Sequence, residues 1–294
     1  MFEADPEGLE DRRPGNKKRK RNGKFVTLGV NWTWSLDGHD KLMGFQNWTF
    51  PLAVYGCYDT TSRKVMFIKV WKSNSDPNLV GCWYFDHLYN TRIISSKLRI
   101  DRGTETGLLV LATLHVFLRR NHGDMTPDDT VEYGSSTRNR IERWWRELHE
   151  RLEKFFKFQL LQLLEHRFYD PEDESDRNIL AYIYIPIVQR EIDLFVELWN
   201  NSRGRLQQET LMPDGIPNVI HNCPEEYGIE DKGWPLSTEE LAEVAGISVV
   251  LDVRDDYLDE DFRRQCANHL PDVESLQAKD AGRKYIELRR LIKG

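Results

Sequence analysis

The stretch VTLGVNWTWSLDG, residues 26–38, is dense in β-branched and aromatic residues and stops at Asp37-Gly38, the pattern of a strand running into a turn. PLAVYGCYD and KVMFIKVW follow, joined by the turn-like TTSR, and the three runs predict an antiparallel meander. Asp76-Pro77 signals a helix start; the helix over 78–93 would bury Leu79, Trp83 and Leu88. KLRID then alternates as a fourth strand, Gly103 relaxes the backbone, and the apolar run Leu108 to Leu118 predicts a helix over 105–120. A short strand is expected around Thr130 to Tyr133, a long helix from about Thr137 to His166, and another over roughly 176–202, kinked or broken near Pro186. In the long helix Ile141, Trp145, Leu148, Leu152, Phe155 and Phe158 recur at three- and four-residue steps, which predicts its buried stripe.

Five strands interleaved with helices in this order imply an α/β fold, a mixed five-stranded sheet flanked by helices. Residues 1–24 read as a disordered basic leader and 25–202 as the core with a helical extension. Residues 203–235, with Pro213, Pro217 and Pro224, read as a linker, and 236–294 as an acidic C-terminal region. Within that region STEELAEVA opens with a Ser-x-x-Glu capping box. There is no internal repeat.

Charge sharpens this division. The formal net charge of the 294 residues is −7, and residues 221–294 hold 17 acids against 10 bases, which leaves 31 of each in residues 1–220. The front end has the opposite bias: NKKRKRNGK, with Lys17, Lys18, Arg19, Lys20 and Arg21, suits a nuclear-import signal or a phosphate-binding arm, against a solvated tail. A nuclear protein is the expectation. No apolar run approaches the roughly 18 residues of a membrane span, and neither membrane nor secretion is expected. Cys57, Cys82, Cys223 and Cys266 form no CxxC pair, so reduced intracellular thiols are expected.

Three acids occupy comparable places. Asp37 closes the first strand, Asp101 closes the fourth, and Glu142 lies near the start of the long helix, at the margin of its buried stripe. Converging carboxylates can hold two divalent ions about 3.5–4 Å apart for phosphodiester displacement, and hard oxygen ligands suit Mg²⁺ or Mn²⁺. Asp59 also ends a strand but reads as a turn cap, and Glu105 reads as an acid at a helix N-terminus. Glu147, Glu150 and Glu153 read as surface partners of nearby arginines at i,i+4 spacing, such as Arg143 with Glu147 and Arg146 with Glu150. Arg138, Arg140 and Arg143 surround Glu142 and would meet phosphates, or form a solvated helical face. His39 either supports Asp37 or faces solvent. Trp32, Trp34, Trp144 and Trp199 are expected in the core or an interface rather than as base-stacking platforms.

WSLDGHDKL, YDTTSRKV, RIDRGTETG and STRNRIERWWREL, in this order over roughly residues 29–202, resemble the retroviral-integrase superfamily of DDE transposases. The closest resemblance is to the integrase-core proteins of Ginger-like eukaryotic elements. It implies an RNase H-like fold whose triad corresponds to Asp37, Asp101 and Glu142, with Mg²⁺ or Mn²⁺ as cofactor and DNA as partner. The activity implied is polynucleotidyl transfer, cleaving DNA and joining strands, by at least a dimer. Two other functions fit the same core: a domesticated, catalytically idle DNA-binding or assembly protein, and an RNase H-like nuclease.

Overall fold

The computed structural model describes residues 27–294, apart from 45, 47, 74–75, 102–106, 124, 135–140, 204–212, 249 and 255. In chain order the elements that matter are β1 (Gly29–Val30), β2 (Thr33–His39), β3 (Ala53–Asp59), β4 (Val65–Trp71), α1 (Pro77–Thr91), β5 (Ile93–Ile94), β6 (Lys97–Asp101), α2 (Gly107–Arg119) and β7 (Val131–Gly134). They continue as α3 (Ile141–Leu148), a π-helical turn (His149–Glu153), α4 (Lys154–Glu165), α5 (Glu174–Asn201), α6 (Pro217–Asn222), β8 (Glu230–Asp231), β9 (Trp234–Pro235), α7 (Thr238–Ile247), α8 (Glu260–His269) and α9 (Ala281–Lys293). The basic leader, with Lys17 to Arg21, lies outside the described residues.

Five strands form one sheet in the order β4-β3-β2-β6-β7. The meander β2-β3-β4 is antiparallel, while β2, β6 and β7 run parallel, as crossovers through α1 and α2 require. This is the mixed sheet flanked by helices expected for an RNase H-like integrase core. Side-chain alternation along the strands sends residues to two cores. Trp34 and Leu36 of β2 pack with α1, α2 and α7, and Val54 and Tyr58 of β3 pack on the opposite side with α3, α4, α5 and α9. Residues of β2 that alternate with Trp34 and Leu36, among them Asp37 and His39, therefore leave the sheet on the α3 side.

Several local expectations hold. The Asp76 carboxyl caps α1 by accepting from the Asn78 amide at 2.9 Å, and Leu79, Trp83 and Leu88 are buried. Ser237 and Glu240 form the reciprocal capping box that starts α7. By contrast α5 is one continuous helix through Pro186. Every residue from Ile179 to Ile185, with Ile187 and Val188, is buried, and this enclosure holds the helix across the hydrogen bond that proline removes.

The long helix departs most from its predicted pattern. Phe155 and Phe158 are 45% and 65% exposed, whereas Phe156, Leu160 and Leu163 are buried. The cause is the π turn, where the Lys154 amide reaches the His149 carbonyl five residues back. One extra residue in the turn rotates everything after it by about 100°, moving each later buried position one residue along.

Residues 217–293 pack against the core. Within the segment expected as a linker, β8 pairs with β1 and β9 with β5. At the far end α9 lies on α5, where the buried Asp176 carboxyl accepts from Arg289 and Lys293, both at 2.8 Å, and from the Asp170 amide at 2.9 Å. The C-terminal region docks here through basic side chains.

Two outcomes follow. Phe156→Ala should cost about 3–5 kcal/mol and Phe158→Ala no more than about 0.5 kcal/mol in urea unfolding; equal losses would contradict the shifted phase. His115 is fully buried and its Nδ1 shares a hydrogen bond with the Tyr84 hydroxyl at 2.8 Å; burial, helped by the Arg119 charge, lowers its pKa to about 3. A histidine depressed from about 6.5 contributes stability that is intact above that pH and is lost as pH falls toward the folded value. His115→Gln should therefore flatten the acid limb of the stability profile, by about 2 kcal/mol between pH 8 and pH 5. Parallel limbs in the two proteins would refute this.

Candidate active site

Asp37 sits near the end of β2, half-buried, opposite Gly56 of β3. The Trp145 indole N–H, from α3, donates to Asp37 Oδ2 at 3.1 Å. Gly56 is what allows this approach: a Cβ there would lie 3.0 Å from the Trp145 ring and collide with Ile68 of β4. A glycine inside a strand often marks such a close contact.

Asp101 ends β6, the parallel neighbour of β2. The register pairs Ser35 with Arg99 and Leu36 with Ile100, and one further step sets Asp37 level with Asp101 on adjacent strands. Parallel strands lie about 4.8 Å apart, so the two backbones come side by side at one end of the sheet. On its other side Asp101 pairs with Gly134 of β7. The Asp101 side chain is outside the described residues, as is Glu105.

Glu142 is exposed in the first turn of α3, three residues before Trp145. Residues at i and i+3 share a helix face, so Glu142 stands one turn from the indole that holds Asp37. Arg143 beside it is exposed, and Arg138 and Arg140 lie outside the described residues. Among the described residues, which leave out the Asp101 side chain, no three His, Cys, Asp or Glu side chains converge as a ligand set.

Asp59 behaves as the turn cap it was expected to be. It is fully buried and accepts from the Ser62 amide at 2.7 Å, the Ser62 hydroxyl at 2.6 Å and the Asn31 amide at 3.0 Å. Burial raises its pKa, opposed first by the neighbouring His221. Trp34 and Trp144 are core residues.

The other glutamates of the long helix need correction. Glu147 pairs with Arg151 and Glu150 with Lys154, so both look toward the C-terminal side rather than back to Arg143 and Arg146. Glu153 is not on the surface at all. It is fully buried, and its Oε2 accepts from His39 Nε2 at 2.9 Å and His149 Nδ1 at 3.0 Å. The π turn rotates it inward, a shift that a regular helical count does not contain. His39 is buried too, stacked on Trp145 with centroids 4.7 Å apart and planes 9° from parallel. Of its two expected alternatives, facing solvent is excluded. Gly56, inside a strand run, was the one sequence signal of this crowding.

The comparisons with known proteins agree with this architecture. The family model described as "Integrase core domain" matches residues 26–214, more than half of the chain and the whole of the sheet with α1 to α5. No curated protein matches the chain. With the mixed sheet, the parallel β2–β6 register and the helix laid over it, that match makes the chain a member of the integrase core domain family.

Proposed function

We propose that this chain is a polynucleotidyl transferase of the DDE type, of the kind carried by Ginger-like eukaryotic elements, cutting DNA and joining its strands. The observation that carries this reading is the register that brings Asp37 and Asp101 to one level of the sheet, beneath the helix that carries Glu142 in its first turn. A donor set of carboxylate oxygens, without His or Cys, fits Mg²⁺ or Mn²⁺. Asp37, Asp101 and Glu142 would hold the ions. Such ions, when bound, activate an attacking oxygen and stabilise the leaving one in an in-line displacement at phosphorus.

The protein's own residues do the positioning. The Trp145 N–H fixes one oxygen of Asp37, so the carboxylate does not have to be ordered at the moment of reaction. Glu142, exposed at the helix start, is open to solvent and to an approaching phosphate. Arg143 next to it, with Arg138 and Arg140 and the basic residues Lys17 to Arg21, supplies positive charge that sets the register of DNA without reading its sequence. Joining two DNA ends requires two such sites, so the working unit is at least a dimer, and the basic leader directs it to the nucleus.

The test is incubation of the full chain with a labelled oligonucleotide and Mn²⁺. Wild-type protein should give both hydrolysed and joined products. Glu142→Gln should lower the rate by about 10³-fold or more, the several kcal/mol that metal-assisted displacement contributes, with the melting temperature nearly unchanged. Glu147→Gln should remain active and lose at most about 0.5 kcal/mol of stability, since it breaks only an exposed pair. Full activity in a folded Glu142→Gln protein would contradict the triad. Hydrolysis without joining would point to an RNase H-like nuclease, and neither product to an idle DNA-binding core.

A further inference from the structure

Glu153 departs from ordinary packing in three ways at one place. It is a fully buried acid, its Oε1 has no hydrogen-bond partner, and it closes a π turn. Burying a polar atom without a partner costs free energy, and π turns are uncommon in helices and frequent at functional sites. Departures of this kind concentrate where function requires them.

The surroundings of Glu153 lead to Asp37 in two steps. Its Oε2 anchors the edge of the His39 ring at 2.9 Å, with His149 on the same oxygen at 3.0 Å. The face of His39 lies flat on the Trp145 indole, whose N–H holds Asp37 Oδ2 at 3.1 Å. His39 and Asp37 are two residues apart on β2 and leave the same face, so strand, imidazole, indole and carboxylate form a closed loop. Glu153 and His149 pin this loop from the helix side. The loop constrains the last torsion of Asp37, which in an aspartate is broad and only loosely determined by its own rotamer preference.

We propose that Glu153 is a positioning residue for Asp37, acting through His39 and Trp145, and that the π turn exists to deliver it. This rests on the reading of Asp37 as a metal-holding acid. Partners one layer out from a metal ligand fix its orientation, and their loss weakens metal affinity or activity by about 10- to 100-fold. A merely structural Glu153 would affect folding alone.

The experiment uses the full chain labelled with ¹⁵N-tryptophan, with the Trp145 indole signal assigned by its absence in Trp145→Phe. That signal should move in Asp37→Asn, move again in Glu153→Leu, which keeps the volume and removes the acceptor, and return toward its wild-type position in Glu153→Gln. In parallel, Mn²⁺ affinity, measured from the signal of the free ion, should fall about tenfold or more in Glu153→Leu and in Trp145→Phe. On the oligonucleotide kcat should fall with KM unchanged, and Glu153→Gln should recover part of both losses. If Glu153→Leu does not fold, His39→Phe carries the same expectation, since it keeps an aromatic face and loses the ring nitrogen. A folded variant of either kind with the indole signal and Mn²⁺ affinity of the wild type overturns the proposal. A wild-type protein that neither binds Mn²⁺ nor cuts DNA, yet shows the indole shift on Glu153→Leu, supports the link from Glu153 to Asp37 while refuting the transferase reading.

Discussion

The hydrogen bond from the Trp145 indole to Asp37 joins the five-stranded sheet to the helical layer packed on one of its faces. It ties the N-terminal turns of α3 to the end of β2, and Gly56 leaves room on the neighbouring strand, where a Cβ would lie 3.0 Å from the indole. A single side chain there serves both core and site, since Trp145 is buried in the same cluster as Phe156, Ile183 and Tyr285. Tryptophan suits both uses, with a large apolar body and one polar edge that can donate to a carboxylate.

From that contact the remaining architecture follows in order. The α3 side of the sheet is covered by α3 to α5 and by α9, and the other side by α1, α2 and α7. The C-terminal part supplies cover on both sides, with Arg289 and Lys293 on the buried Asp176 at one end and the β5–β9 pairing at the other. A buried carboxylate flanked by two cations is weak evidence for stability, but removing both cations would leave its charge uncompensated, so the contact specifies where α9 lies. The acidic excess of this region therefore coexists with a basic docking edge, which net charge alone does not reveal.

Much of this was legible in the residues. Strands were readable because alternation and β-branching describe a half-buried surface, and the caps at Asp76 and Ser237 because their side chains satisfy specific backbone donors. Asp59 was separable from the site acids by its short hairpin, which lets one carboxyl reach Ser62. The phase of the long helix was not legible. Counting by 3.6 residues assumes no insertion, and the π turn inserts one, so a regular count places Phe155 and Phe158 inward and Glu153 outward, the reverse of what the fold shows. The glutamate itself was visible, but a buried acid is recognisable only when its partners are known, and His39 lies more than a hundred residues earlier in the chain.

The central claim is that strand register and helix docking gather Asp37, Asp101 and Glu142 around divalent ions. The most direct measurement is the anomalous scattering of Mn²⁺ in crystals of the full chain soaked with the ion. Density is expected between the ends of β2 and β6, beside Asp37 and facing the start of α3, and is expected to vanish when Asp37 and Asp101 are both changed to Asn. Mn²⁺ bound only elsewhere, or persisting at that place in the double variant, would contradict it.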